Sequence, residues 1–288
     1  MRKFFSNLCS PLRCAAVGLL VLGGAHIGDA HASPQDAAVN DVGGSYTVCH
    51  DVAVPPSYAL VGIQTNAGCN HGTSYTVAPA SPGMRICNLS QTVGGAPYQM
   101  PFPDGYIVQT IQEVQPQQSQ CGGATAIYII QPVAEGTTAC SGTQIPTGWS
   151  YTASSPSPGS CGTFERIELH QSVAGMRICS QSPYPNGFVV GAVESMAACG
   201  LQERYVLQPT SDGVKACGPT HVPAGYVITN TNQSGQCGSY QTLTLRAAYD
   251  GVVVCPASPI PDRYVIQSAV PYNGCENFTT ANQLKYIP

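Results

Sequence analysis

Gly213-Val-Lys-Ala-Cys217, Pro223-Ala-Gly-Tyr226-Val-Ile-Thr229, Leu243-Thr-Leu245 and Asp250-Gly-Val-Val-Val-Cys255 lie in one stretch of the chain, 213–255. Tyr226-Val-Ile-Thr229 is β-branched and aromatic, Leu243-Thr-Leu245 alternates, and Val252-Val-Val-Cys255 is apolar. Turn-rich sequence separates them, so the stretch reads as three short strands. Asp250-Gly251, like Asp212-Gly213 one unit earlier, suits a turn whose last residue needs positive φ. That reading joins the second and third runs in a hairpin. No stretch of ten or more residues has clean helical periodicity.

The stretch repeats along the chain. Beyond Cys9 and Cys14 the cysteines are Cys49, Cys69, Cys87, Cys121, Cys140, Cys161, Cys179, Cys199, Cys217, Cys237, Cys255 and Cys275. Their separations of 20, 18, 34, 19, 21, 18, 20, 18, 20, 18 and 20 give a repeat of about 38 residues, present six times, with one 14-residue expansion between Cys87 and Cys121. A Pro-x-Gly-aromatic element keeps the same phase at Tyr106, Trp149, Phe188 and Tyr226, with variants ending at Tyr58 and Tyr264. A glycine precedes each unit-ending cysteine by four residues, and Gly-Met-Arg-Ile-Cys occurs twice, at 83–87 and 175–179.

Three antiparallel strands per unit would reverse the chain at every repeat. A returning segment is therefore required, and residues 218–225 are long enough for a short edge strand or an extended crossover. Units of this size are close to small propeller blades. The last unit ends at Pro288 without a Gly-x-x-x-Cys strand, while Asp41-Val-Gly-Gly-Ser-Tyr-Thr-Val-Cys49 supplies one at the other end of the chain. The preferred fold is an all-β, propeller-like ring of six repeats, closed by strand 41–49 completing the last unit and removing sheet edges. The same complementarity operating between molecules would give self-association through 41–49 and a filament.

Two disulfide schemes respect the repeat. Bridges run in chain order from Cys49–Cys69 to Cys255–Cys275, or they span the near-constant 18-residue spacing and leave Cys49 with Cys275 to lock the ring. The second is preferred, because constant spacing suggests a rigid element.

Residues 1–32 combine a basic start (Arg2, Lys3, Arg13), an apolar run from Ala15 to Gly24 and small residues Ala30 and Ala32. This is the pattern of a secretory signal cut near Ala32. The expected organisation is a signal peptide 1–32, a tail 33–40 and one domain 41–288, secreted and disulfide-bonded. The apolar run is too short for a transmembrane segment. Charge is scarce: Lys and Arg number 11 and Asp and Glu 15, and removing Arg2, Lys3, Arg13 and Asp29 leaves 8 and 14. Without clustered cations there is no basis for nucleic-acid binding.

Nearly everything distinctive repeats, whereas catalysis needs unique residues that converge. His50, His71, His170 and His221 fall at different phases of the repeat. Neither His-Glu-x-x-His nor Gly-x-Ser-x-Gly occurs, and all twelve cysteines are in phase. Asp51 beside His50, and Glu165 with Glu168, are the only acid or base groupings, the latter read as a solvated strand face. No catalytic residue, metal or cofactor is assigned. Arg85, Arg177 and Lys215 share one outward-facing position and read as edge charges.

The repeated aromatics are expected chiefly to pack in the cores of their units. Ligand contacts are assigned to Trp149, the only tryptophan, beside the Ser-rich stretch 154–160, and to Tyr98, Phe102 and Tyr106 in and after the expansion. The resulting expectation is a non-enzymatic binding or adhesion protein with lectin-like recognition of a glycan or cell-surface polymer. A filament subunit and a hydrolase on a propeller-like scaffold are the alternatives.

Overall fold

A computed structural model describes residues 44–288, apart from 50–51, 70–71, 88–91, 94–95, 98–101, 116–119, 123–125, 196 and 201–202. The expected leader and tail, residues 41–43, Tyr98, His50, Asp51 and His71 lie outside the described residues. Each unit starts with a short strand ending at a cysteine, or one residue before it in the sixth unit, and continues with two longer strands. The first sheet comprises β1 (Tyr46–Cys49), β2 (Tyr58–Thr65) and β3 (Thr73–Pro79). In the second, β4 (Arg85–Cys87) is followed by a two-residue-per-strand ribbon, β5 (Thr92–Val93) with β6 (Ala96–Pro97), and then by β7 (Tyr106–Glu113) and β8 (Ala126–Pro132). The third has β9 (Thr137–Cys140), β10 (Trp149–Pro156) and β11 (Glu165–Gln171); the fourth β12 (Arg177–Cys179), β13 (Phe188–Ser195) and β14 (Glu203–Pro209). The fifth has β15 (Val214–Cys217), β16 (Tyr226–Gln233) and β17 (Gln241–Ala247), and the sixth β18 (Val253–Val254), β19 (Tyr264–Pro271) and β20 (Thr280–Tyr286).

In all six sheets the strand order is first, third, second, and both neighbours run antiparallel to the third strand. The first and second strands therefore point the same way. The chain reaches the second through an extended crossover, 218–225 in the fifth unit, which contains no strand. This crossover is the returning segment that the parity argument demands.

The unit boundaries differ from the sequence reading. The short strand after Asp250-Gly251 was expected to form a hairpin with the strand before it, but β18 pairs with β20, and β17 pairs with β15 and β16. Gly213 and Gly251 do take positive φ, at 76° and 82°, yet their turns pass from one unit to the next. The carboxylates beside them explain the preference for Asp: Asp212 accepts the Ala247 N–H at 3.0 Å and Asp250 the Tyr286 N–H at 2.8 Å. Each fastens the start of a unit to the end of its own third strand.

The ring is corrected for the same reason. Strand β1, the described strand of 41–49, pairs with β3 in the first sheet, and β18 already completes the sixth, so the sixth sheet lacks no strand for β1 to supply. Val265 and Ile266 on β19 are 41 % and 52 % exposed, whereas the equivalent pairs in the other five units are at most 7 % exposed. A closed ring would cover them; the array is open.

The bridges follow chain order: Cys49–Cys69, Cys87–Cys121, Cys140–Cys161, Cys179–Cys199, Cys217–Cys237 and Cys255–Cys275. This overturns the hairpin pairing and the Cys49–Cys275 lock. The cysteine ending a short strand lies beside the hairpin between the second and third strands of its own unit, where the other cysteine sits. The constant 18-residue spacing is one long strand, a turn and a short strand, a fixed length running between units. Both halves of the expansion, 94–102 and 115–120, fall inside the Cys87–Cys121 loop, which tolerates them because loop closure varies slowly with length.

The five junctions between units draw on shared parts, with a disulfide cover at all five and, among the described residues, a hydroxyl contact at four and a strand-to-carbonyl contact at three. The second strand carries a bulge, as between Ile228 and Asn230, and residues beside it are met by the next unit. Hydroxyls three residues after the short-strand cysteine accept the Val108, Tyr151, Val190 and Ile228 N–H groups, from Thr143, Ser182, Thr220 and Ser258, each at 2.8–2.9 Å. Further along, Ile63, Ile111 and Thr231 donate to the carbonyls of Gln120, Ser160 and Gly274 at 2.8–2.9 Å. The next unit's disulfide then covers the core: Cys179 and Cys199 pack with Tyr151, Cys217 and Cys237 with Val190, and Cys255 and Cys275 with Ile228. Sulfur here acts as apolar filling as well as a covalent staple.

Candidate functional site

The repeated aromatics are neither an exposed platform nor fully core. All six are half-buried, and two of them pin neighbouring units together. The Tyr106 hydroxyl donates to the Ala80 carbonyl at 2.9 Å, and the Tyr264 hydroxyl to that of Ala248 at 3.0 Å. An amphipathic ring suits this place, with its body against apolar groups and its hydroxyl on a carbonyl.

Three of the four predicted ligand residues meet. Phe102, Tyr106 and Trp149 line a cleft of about 380 Å³ between the crossovers of the second and third units, with Asp104, Gln144 and Thr147. Phe102 is itself 8 % exposed and belongs to the core with Ile86 and Val108, so its ring contributes mostly floor. The Ser-rich stretch does not join Trp149: it begins within β10 and continues past the far end, roughly 20 Å along the strand.

A larger groove, about 910 Å³, opens on the first three units. Val61 comes from β2, Arg85 from β4, Gln112 and Glu113 from the end of β7, and Tyr128 from β8. Gln115 and Gln120 come from the expansion, and Phe164 from the hairpin of the third unit. The Phe164 ring is 41 % exposed and lies over Gly142, where an added Cβ would come within 2.9 Å of it. Glycine lets the ring lie close against the backbone, and a side chain at 142 would displace it. Arg85 Nη2 donates to Gln112 Oε1 at 2.5 Å, so this edge charge stands at the groove wall. Its equivalent Arg177 instead pairs with Glu194 at 3.0 Å. Burial raises the pKa of Tyr128 and keeps its phenol neutral.

Sequence reasoning found the expansion but not this groove. Its aromatic residue, Phe164, stands three residues after a cysteine, outside the Pro-x-Gly-aromatic pattern. The one available signal was Tyr240 and Phe278 in the same place after Cys237 and Cys275.

One acid–base cluster lies on the partly solvated face of β11 and the turn before β9: Glu168 meets His170 Nε2 at 3.0 Å, and Glu135 meets Nδ1 at 2.5 Å. Burial opposes the imidazolium, but the two carboxylates outweigh it and raise the His170 pKa. The Glu135 carboxyl is lowered, first by the Gln171 N–H it accepts and then by His170. The His170 contribution to stability is fully present below its unfolded pKa and is lost as pH rises through the raised folded value. That of Glu135 is present above its ordinary value and lost as pH falls. Thermal unfolding followed between about pH 5.5 and 8.5 should thus show wild type losing its advantage over His170→Gln as pH rises. Parallel curves would remove any role for the charged imidazole. The groups are exposed enough for the effect to be small. Among the described residues, no cluster of His, Cys, Asp and Glu suits a metal ion.

Comparisons with protein-family models, curated proteins and solved structures return no match. Sheets, bridges and junctions together define a class: an all-β, disulfide-stapled repeat protein with an open end and a groove where its periodicity is broken. Six disulfides fit an oxidising environment, and no helix among the described residues is long and apolar enough to cross a membrane.

Proposed function

We propose that this is an exported binding protein that holds a glycan or similar polar polymer in the groove of the first three units. The supporting observation is the coincidence of the only large expansion with an open groove pairing a backed, exposed ring, Phe164, with the amides of Gln112, Gln115 and Gln120. Pyranose rings stack their CH faces on aromatic groups while amides bond their hydroxyls. Among the described lining residues Glu113 is the only carboxylate, whereas hydrolysis by paired carboxylates requires two. This favours binding over the hydrolase reading. Trp149 and its smaller cleft become a secondary contact.

A glycan array followed by titration of the best ligand tests the reading. Phe164→Ala should weaken binding about tenfold or more, a loss of ~1.4 kcal/mol, while Trp149→Ala leaves it nearly unchanged. Loss of binding in Trp149→Ala alone would move the site to the smaller cleft. Absence of wild-type binding to every glycan would overturn the proposal.

A further inference from the structure

The exposed face of the sixth unit has a known complement, because the chain shows five times what covers it. At each internal junction the second strand buries an adjacent pair of residues under the next unit and places its core against a disulfide, and at four of the five its N–H is seen to meet a hydroxyl, that of Thr143, Ser182, Thr220 or Ser258. On β19 the same positions are present and uncovered. Val265 and Ile266 are exposed, and the N–H groups of Ile266 and Ala269, equivalent to those of Ile228 and Thr231, have no partner among the described residues. An apolar, unpaired edge of this kind is a template for association.

The matching surface stands at the other end of the chain. The first unit presents the Cys49–Cys69 bridge, which covers no preceding core among the described residues; Cys49 is half-buried, whereas the other five short-strand cysteines are at most 1 % exposed. Gly68 precedes Cys69 and offers the carbonyl that Gln120, Ser160 and Gly274 supply elsewhere. One part differs. The residue three places after Cys49 is Val52, 41 % exposed, where later units carry the accepting hydroxyl.

We infer that the first unit of a second copy docks on β19, continuing the array head to tail, and that Val52 weakens this joint by leaving the Ile266 N–H unpaired. The contact is heterologous, so it propagates unless the rotation closes, and a missing hydrogen bond keeps it reversible. No strand is exchanged, in contrast to assembly by donation of 41–49. The glycan proposal stands or falls separately, because the groove and β19 share no residue.

Sedimentation velocity over a concentration series, on the chain recovered from an oxidising compartment, tests this. Wild type should associate reversibly. Val52→Ser, which installs the missing acceptor, should move association to about three- to tenfold lower concentration. Val52→Lys and Ile266→Lys, both at exposed positions, should each remain monomeric alone. Mixed, they should form a one-to-one dimer, since the first keeps a sound β19 and the second a sound first unit. A monomeric Val52→Ser chain at the highest concentration, association that survives Ile266→Lys, or two lysine variants that stay monomeric when mixed would each overturn the inference.

Discussion

Replacing Cys217 and Cys237 together with alanine is expected to lower stability by about 4–5 kcal/mol, and more than replacing Cys49 and Cys69. Both bridges span 20 residues, so loop-closure entropy assigns each about 3 kcal/mol. The difference arises from packing. Cys217 and Cys237 share a core cluster with Val190, Tyr205 and Leu207 of the preceding unit, and removing both sulfurs uncovers that core, adding about 1–2 kcal/mol. The Cys49–Cys69 bridge covers no preceding unit among the described residues. Denaturant unfolding in matched oxidising buffers compares the two, and equal losses would mean that the bridges act through chain entropy alone. Because stability in repeat arrays propagates between neighbours, the internal variant should also broaden the transition.

Ile228→Lys should destabilise by about 4 kcal/mol or more, while Ile266→Lys at the same place one unit later stays within about 0.5 kcal/mol of wild type. Ile228 is 6 % exposed and packed with Cys255 and Cys275; Ile266 is 52 % exposed. A lysine at the first position must bury an unpaired charge or force the fifth and sixth units apart. At the second it extends into solvent. Thermal melts of the two variants decide the matter. Comparable losses would show that burial by the following unit is not what distinguishes these positions.

The repeated aromatics of the smaller cleft are legible in the sequence, whereas the lining of the larger groove is not. Phe102, Tyr106 and Trp149 do line one cleft, because an aromatic at a fixed phase must reappear beside its neighbour when units stack. Phe164 is not legible in the sequence as a site residue, because its place depends on Gly142 beneath it, 22 residues earlier. The pairing of His170 with Glu135 and Glu168 was hidden for a similar reason: Glu135 lies in the turn before β9, and sheet pairing carries that turn to the end of β11.

The sequence by itself determined the period, the strand content and the number of units, since β-branched runs, positive-φ glycines and cysteine spacing are local properties that recur wherever the same local structure recurs. It did not determine the phase. A repeat of about 38 residues reads the same whether a unit ends or begins at its Gly-x-x-x-Cys strand, and an 18-residue spacing looks alike within a hairpin and across a boundary. Tertiary structure decided both questions. The extended crossover sets the short strand beside the third strand of the unit that follows it in sequence, β18 against β20, and this places both cysteines of a unit at one end of one sheet. From that single choice follow the bridges in chain order, a first strand already in use, and an open face on β19.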